Sequence, residues 1–360
     1  MKKILIVLPT DSLGGAENYL KMIAIYYKNH DVDVYGFKNE ERGLWDDISD
    51  FTNLKFISKK SEVSGLIQFC FIMLFRRKKY DYIFSSQVYA NGIIGILKSI
   101  GVIRSKYFIA RESTSVFLRF TGKKLKFYKS VISLGYRKMD LLICQTEEMK
   151  KQFSDHFNKI EKRTKIIVIP NPIDLKVSNK LSNSELDINL PDEYIVSAGR
   201  FIELKGFDLL IESFSKLKTK NLNLKLILLG EGEELENYQS QIKNLGIENS
   251  VIFPGFTNNV YAYFKHAKLC VVSSIIEGFP NVLLQMMSQN SKVVSTKCAG
   301  GIDEIKGVFT CDINSENELT NAITSCLNSD TTNNRDIFDT YLNSRSIESF
   351  ISIIDFNLKN

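Results

Sequence analysis

"SAGRFIELKGFDLL", residues 197–210, holds a strand end, a turn and a helix start in one short stretch. The residues before it, Tyr194, Ile195 and Val196, are aromatic and β-branched, the types that pack on a pleated surface. The apolar run stops at Ala198-Gly199. Phe207, Leu210, Ile211 and Phe214 then recur at helical spacing. A strand passing through a polar turn into an amphipathic helix is half of a parallel βαβ unit. Two cations, Arg200 and Lys205, bracket the turn.

The same alternation runs through the 360 residues. Strand-like runs are "KILIVL", "VDVYGF", "LKFI", "DYIFSS", "KYFIA", "DLLICQ" and "KIIVIP" in the first half. "YIVSAG", "LKLILLG", "SVIFPG", "LCVVSS", "KVVSTK" and "GVFT" follow in the second. Helical patterns lie between them, which predicts an α/β protein with two doubly wound parallel sheets. Residues 169–193, "IPNPIDLKVSNKLSNSELDINLPDE", hold three of the six prolines and few large apolar side chains, so they read as turn and linker. The domains expected are 1–172 and 173–343, with 344–360 as an amphipathic C-terminal helix.

Composition excludes several classes. A hydrophobic fraction of 44% with 24% charged residues is that of a globular protein. "MKKILIVLPTD" has too short an apolar run for a signal peptide and reads as a first buried strand. "VSGLIQFCFIMLF", 63–75, falls short of the roughly 20 residues that span a bilayer. The six cysteines form no C-x-x-C pair and the three histidines have no ligand spacing, so a reduced, cytoplasmic compartment and no metal site are expected. "DVD" at 31–33 begins an alternating strand and is read as such.

Ligands of doubly wound sheets sit at the carboxyl ends of strands, where helix N-termini present N–H groups to anions. Three places fit. In "LPTDSLGGAENYL", 8–20, Gly14 and Gly15 would let a phosphate or sugar approach the backbone, although the dinucleotide fingerprint G-x-G-x-x-G is absent. In 197–210, Arg200 and Lys205 could neutralise a diphosphate leaving group without a metal. In "SSIIEGFPNVLLQMM", 273–287, Pro280 stands near the start of a helix. The peptides around Phe279, Pro280, Asn281 and Val282 would offer free N–H groups to an anion there. Glu277 faces what lies beyond the anion, and Gln285 reaches toward a ribose.

In their order, "GGAE", "IPNPID", "AGRFIELKG", "LLGEGEE", "VIFPGF", "EGFPNVLLQ" and "GGIDEI" resemble the retaining glycosyltransferases of family 4, over most of the chain and most specifically from 168 to 305. The resemblance implies the GT-B fold, two Rossmann-like domains facing a central cleft. It also implies a nucleotide-diphosphate sugar donor, UDP being the expected nucleotide, no metal cofactor, and transfer with retention. Carried over by position, Arg200 and Lys205 neutralise the diphosphate and Glu277 contacts the transferred sugar. Gly278 to Val282 hold sugar and phosphate, and Gly15 approaches the donor from the first domain. The terminal helix is expected to cross back onto that domain. Two positions depart from the family pattern. Gln285 stands where the second carboxylate of Glu-x7-Glu is usual. Arg111-Glu112 follows "KYFIA" where many relatives place a histidine, leaving Glu112 as a candidate acid/base or acceptor contact.

The net charge of +6 is unevenly spread. Residues 113–139 contain no acid, and Arg119, Lys123, Lys124, Lys126, Lys129, Arg137 and Lys138 leave the rest of the chain near neutral. Aromatic residues interleave with these charges. The segment reads either as a solvated helix face or as a contact with an anionic membrane; no recognition module supports nucleic acid. The expected enzyme works on the cytoplasmic side of a membrane. It moves a hexose or N-acetylhexosamine to a growing, lipid-linked glycan of a bacterial surface polysaccharide. A donor-binding subunit that needs a partner, and another GT-B enzyme such as a phosphorylase or epimerase, are the alternatives.

Overall fold

Every residue from Ile4 to Thr10 in the first strand is buried, because the sheet is covered on both faces. Leu5 and Val7 pack with Phe69, Met73, Ile94 and Ile132 on one side. Ile4, Ile6 and Leu8 pack with Leu20, Ile23, Phe350 and Ile351 on the other. These positions come from a computed structural model that describes residues 1–186, 188–219 and 223–359. Asp187 of the expected linker and Asn360 of the terminal segment lie outside the described residues.

The chain forms two units by itself, Met1–Pro172 with the segment from Ile347 onward, and Ile173–Ser346. In the first, strands Lys3–Thr10 (β1), Asp31–Lys38 (β2), Asn53–Ser58 (β3), Lys79–Ser86 (β4), Arg104–Arg111 (β5), Leu141–Cys144 (β6) and Lys165–Val168 (β7) make one sheet. Its order is β3-β2-β1-β4-β5-β6-β7, and every pairing is parallel. Helices Glu62–Phe75, Val88–Ser99 and Gly122–Gly135 cover one face. Gly15–Tyr26 and Ile347–Lys359 cover the other, with Tyr19 edge-on to Phe350 at 5.4 Å and Tyr82 donating to Asp355 Oδ1 at 3.0 Å.

The second unit contains Tyr194–Ala198 (β8), Lys225–Leu229 (β9), Val251–Gly255 (β10), Leu269–Val272 (β11), Val293–Thr296 (β12) and Phe309–Cys311 (β13). These are parallel in the order β10-β9-β8-β11-β12-β13. Both units are thus doubly wound, each with a switch point where the strand order reverses: β1/β4 in the first, β8/β11 in the second. Each strand-like run of the sequence overlaps one of these thirteen strands, in the same order.

The expected linker is shorter than 169–193. Residues Leu175–Ser182 form a helix of the second unit, capped by Asp174, whose carboxylate accepts from Val177 N–H at 2.9 Å. It buries Ser178 and Ser182 where most helices bury large apolar side chains. Ser178 Oγ hydrogen-bonds Ser288 Oγ at 2.6 Å and accepts from Gln289 Nε2 at 2.7 Å. Among the described residues no helix is long and apolar enough to cross a membrane.

Candidate functional site

The loops after β8 and β11 meet at the switch point of the second sheet, where ligands of such sheets bind. Gly206 is left-handed at φ 58°, and a Cβ there would lie 2.3 Å from Ser273 O, so only glycine lets the two loops approach. Three hydrogen bonds fasten them. Ile275 N–H donates to Leu204 O at 2.9 Å, and Ser273 Oγ donates to Lys205 O at 2.9 Å. Glu277 N–H donates to Cys298 O at 2.8 Å, which adds the loop after β12.

This framework brings Lys205 and Glu277 together as an ion pair with side chains 18% and 20% exposed. Ser274 Oγ donates to the same Glu277 oxygen at 3.0 Å, and Ser274 is itself held by Thr296 Oγ1, which donates to Ser274 O. Burial, then the Glu277 charge, pushes the neighbouring Cys298 thiol up to about 12, so it stays protonated and inert. Arg200, at the end of β8, is exposed and makes no side-chain ion pair among the described residues. The two cations therefore differ: Lys205 is already committed to Glu277, whereas Arg200 stands on the rim.

Gly278 and Pro280 are buried, while Phe279, Asn281, Val282 and Gln285 are partly exposed. Pro280 stands at the N-cap of the helix Asn281–Met287, and its carbonyl accepts from Leu283 N–H at 3.0 Å. Gln285 Nε2 donates to Tyr261 Oη at 3.3 Å, a hydroxyl whose pKa is raised, mainly by burial. Phe279 lies under the Arg345 guanidinium, 5.7 Å from its ring centre; Arg345 also covers Tyr341 at 4.1 Å. Sequence reasoning missed Ser274, Thr296, Tyr261 and Arg345. Ser274 alone carried a signal, as the polar end of "LCVVSS".

In the first unit, Gly14 and Gly15 are exposed at the start of the helix Gly15–Tyr26. Gln87 follows β4 in a strained conformation, φ 77° and ψ 139°, and its amide donates to Glu17 Oε1 at 2.8 Å, joining the loops at the β1/β4 switch point. Glu112 is a correction. Expected as an acid/base or acceptor contact, its carboxyl is enclosed, 2% exposed, because its N–H still bonds Ile143 O at 2.9 Å and keeps the chain in the sheet. Tyr136 donates its hydroxyl to Glu112, and Asn91 Nδ2 lies 3.5 Å away. Burial raises the carboxyl to about 7 against the pull of these donors. Arg111 is equally enclosed, donating to Asn171 and lying 4.6 Å over the Tyr19 ring.

The "DVD" carboxylates are structural ion-pair partners. Asp33, fully buried, accepts from Arg76 Nη2 at 2.7 Å, Lys78 Nζ at 2.9 Å, Tyr80 Oη at 2.7 Å and Asn53 Nδ2 at 2.9 Å. Half of the "RRKK" run is thus turned inward.

Two family models divide the chain between them. Glycosyltransferase Family 4 matches residues 13–177, and Glycosyl transferases group 1 matches 178–341. The chain belongs to glycosyltransferase family 4. An uncharacterized glycosyltransferase of Methanocaldococcus jannaschii is 33% identical to this family 4 chain over 218 residues, 57% of the chain and 53% of that protein. The N-acetylgalactosamine-N,N'-diacetylbacillosaminyl-diphospho-undecaprenol 4-alpha-N-acetylgalactosaminyltransferase of Campylobacter jejuni is 32% identical over 206 residues, 56% and 54%. The matches thus span about half the length of these curated relatives. HepE of Anabaena, solved with UDP and glucose, superposes with a TM-score of 0.82 at 19% identity over 100% of both chains. That likeness shows the fold: GT-B, with two Rossmann-like domains.

Proposed function

We propose that this family 4 protein is a retaining glycosyltransferase that moves a hexose or N-acetylhexosamine from a UDP-sugar to a lipid-linked glycan of a bacterial surface polysaccharide. The observation that carries the reading is the Lys205–Glu277 pair, assembled from two loops at the β8/β11 switch point. As the bond from the sugar's anomeric carbon to the diphosphate breaks, negative charge gathers on the departing phosphate. Lys205 and Arg200 supply fixed positive charge where it develops, the arrangement that lowers such barriers. A diphosphate competes with Glu277 for the Lys205 ammonium, and a Glu277 so released can accept hydroxyls of the transferred sugar. The peptides from Gly278 to Val282 border the same position. Because two side chains provide the positive charge, the proposed reaction uses no divalent ion.

UDP as the nucleotide is supported by HepE, and a lipid-diphosphate acceptor by the name of the Campylobacter jejuni relative. The exposed cations Lys123, Lys124 and Lys126 are read as facing the anionic lipid that would carry such an acceptor on the cytoplasmic side. The test is transfer from a panel of UDP-hexoses and UDP-N-acetylhexosamines to polyprenyl-diphosphate glycans in EDTA, with the product's anomeric configuration read by NMR. Retained configuration and undiminished turnover in EDTA are expected. Inversion, or activity that EDTA abolishes and Mn²⁺ or Mg²⁺ restores, overturns the reading.

A further inference from the structure

The helix Glu62–Phe75 carries large apolar side chains on its outer side as well as its inner one, with Ser64 and Gln68, hydrogen-bonded at 3.2 Å, beside the outer ones. Gly65, Phe69 and Met73 face the first sheet, so closely that a Cβ on Gly65 would lie 1.7 Å from Phe37 O. The opposite side carries Val63, Ile67, Phe71, Leu74 and Phe75, exposed at 67%, 53%, 61%, 56% and 79%. Their spacing sets them in one line along the helix. A contiguous exposed apolar patch of this kind marks a contact surface.

The neighbours indicate what it contacts. At the helix end, Arg76 and Lys78 turn inward to Asp33 and Asp31, while Arg77 and Lys79 remain exposed. At its start, the one acid of the helix, Glu62, accepts from Tyr89 Oη. The charges of both Glu62 and Arg119 reach Tyr128 of the helix Gly122–Gly135. That second helix covers the same face of the sheet, and it exposes Phe127 and Leu134 among Lys123, Lys124 and Lys126. The apolar line thus ends beside the exposed cations Arg77 and Lys79, and a second helix on the same face of the sheet carries more.

We infer that this face rests on an anionic bilayer, with the helix Glu62–Phe75 lying in the plane of the interface. Phe71 and Phe75 enter the acyl boundary, and Arg77, Lys79 and the 123–126 lysines meet lipid phosphates. A second copy packed on the same face would bring like charges together across a two-fold contact, whereas lipid phosphate complements them. The inference does not rest on sugar transfer. It adds an inserted apolar element to a surface so far read by charge alone.

The full chain, without any sugar donor, is titrated with vesicles of phosphatidylglycerol and phosphatidylcholine in equal parts, and with pure phosphatidylcholine. Binding to the anionic vesicles is expected. Phe71→Ser with Phe75→Ser should weaken it by roughly tenfold or more, leaving thermal unfolding unchanged. Arg77→Gln with Lys79→Gln should weaken it several-fold at low salt and little at high salt. Tryptophan fluorescence of Phe71→Trp should shift to the blue and be quenched by brominated acyl chains. Absence of binding by the unaltered chain, unchanged binding by the serine variant, or an unquenched tryptophan at 71 overturns the proposal. A dimer in sedimentation velocity that the serine variant dissociates assigns the face to a second copy instead.

Discussion

Lys205 and Glu277 are ion-paired across two loops that belong to different strands, and Ser274 donates to the same carboxylate oxygen. If the pair works as proposed, removing either partner lowers turnover. Lys205→Ala should lower kcat by about 10²-fold or more, the scale of losing one charge-stabilising donor. Glu277→Gln should likewise cut kcat far more than it changes the Kd for UDP. Steady-state kinetics with calorimetric UDP binding tests both; a Glu277→Gln enzyme with normal kcat would remove Glu277 from the chemistry.

In the proposed site Gln285 offers one carbonyl acceptor to a ribose; its amide donates to Tyr261. A carboxylate there would accept charge-assisted bonds, roughly twice as strong as neutral ones, at the expense of added negative charge beside a diphosphate. Gln285→Glu should therefore tighten UDP binding a few-fold without altering sugar preference. Transfer by Gln285→Glu but never by the natural chain would instead identify a donor-binding subunit.

Burial works to raise the Asp33 carboxyl, but hydrogen bonds from Tyr80, Lys78 and Asn53 and the Arg76 charge outweigh it and hold the pKa below the usual carboxylate range. A depressed carboxyl stabilises the fold above its unfolded pKa of about 3.9, and the contribution fades as pH falls through the lower folded value. Asp33→Asn should cost roughly 2–4 kcal/mol at pH 7, since it leaves partly buried cations without their partner. The gap in Tm between variant and parent should close as pH falls below 4. An equal gap at pH 3 and pH 7 would contradict the ionic account.

Glu112 titrates in the opposite sense. Burial raises its carboxyl from 4.5 to about 7, so the unfolded chain sheds its proton first and stability declines between those values as pH rises. Glu112→Gln keeps an acceptor for Tyr136 and removes the titration. Its Tm relative to the parent should rise between pH 5 and pH 8; a flat difference would mean that the carboxyl is ionised throughout.

The thirteen strands were legible because parallel strands, enclosed on both faces, read as unbroken apolar runs. Leu175–Ser182 was not, since a helix that buries Ser178 against Ser288 shows no apolar period. The orientation of Arg111 and Glu112 was hidden for a related reason. Alternation turns successive side chains to opposite faces, and here both faces are enclosed. At the candidate site, the residue types could be read from the turns after β8 and β11, but the pairing of Lys205 with Glu277, distant in sequence, appears only once those strands are neighbours.

The first unit is assembled from both ends of the chain. On a ribosome, the sequence of Ile173–Ser346 emerges whole, whereas its predecessor must wait for the final helix. Until residues 347–359 appear, Tyr19 lacks the ring of Phe350, and the face that receives Ile351 and Ile354 stays uncovered. Of these two units, the one begun earlier is therefore completed later, and a chain cut short after Ser346 would carry a finished second unit attached to a first one with an open seam.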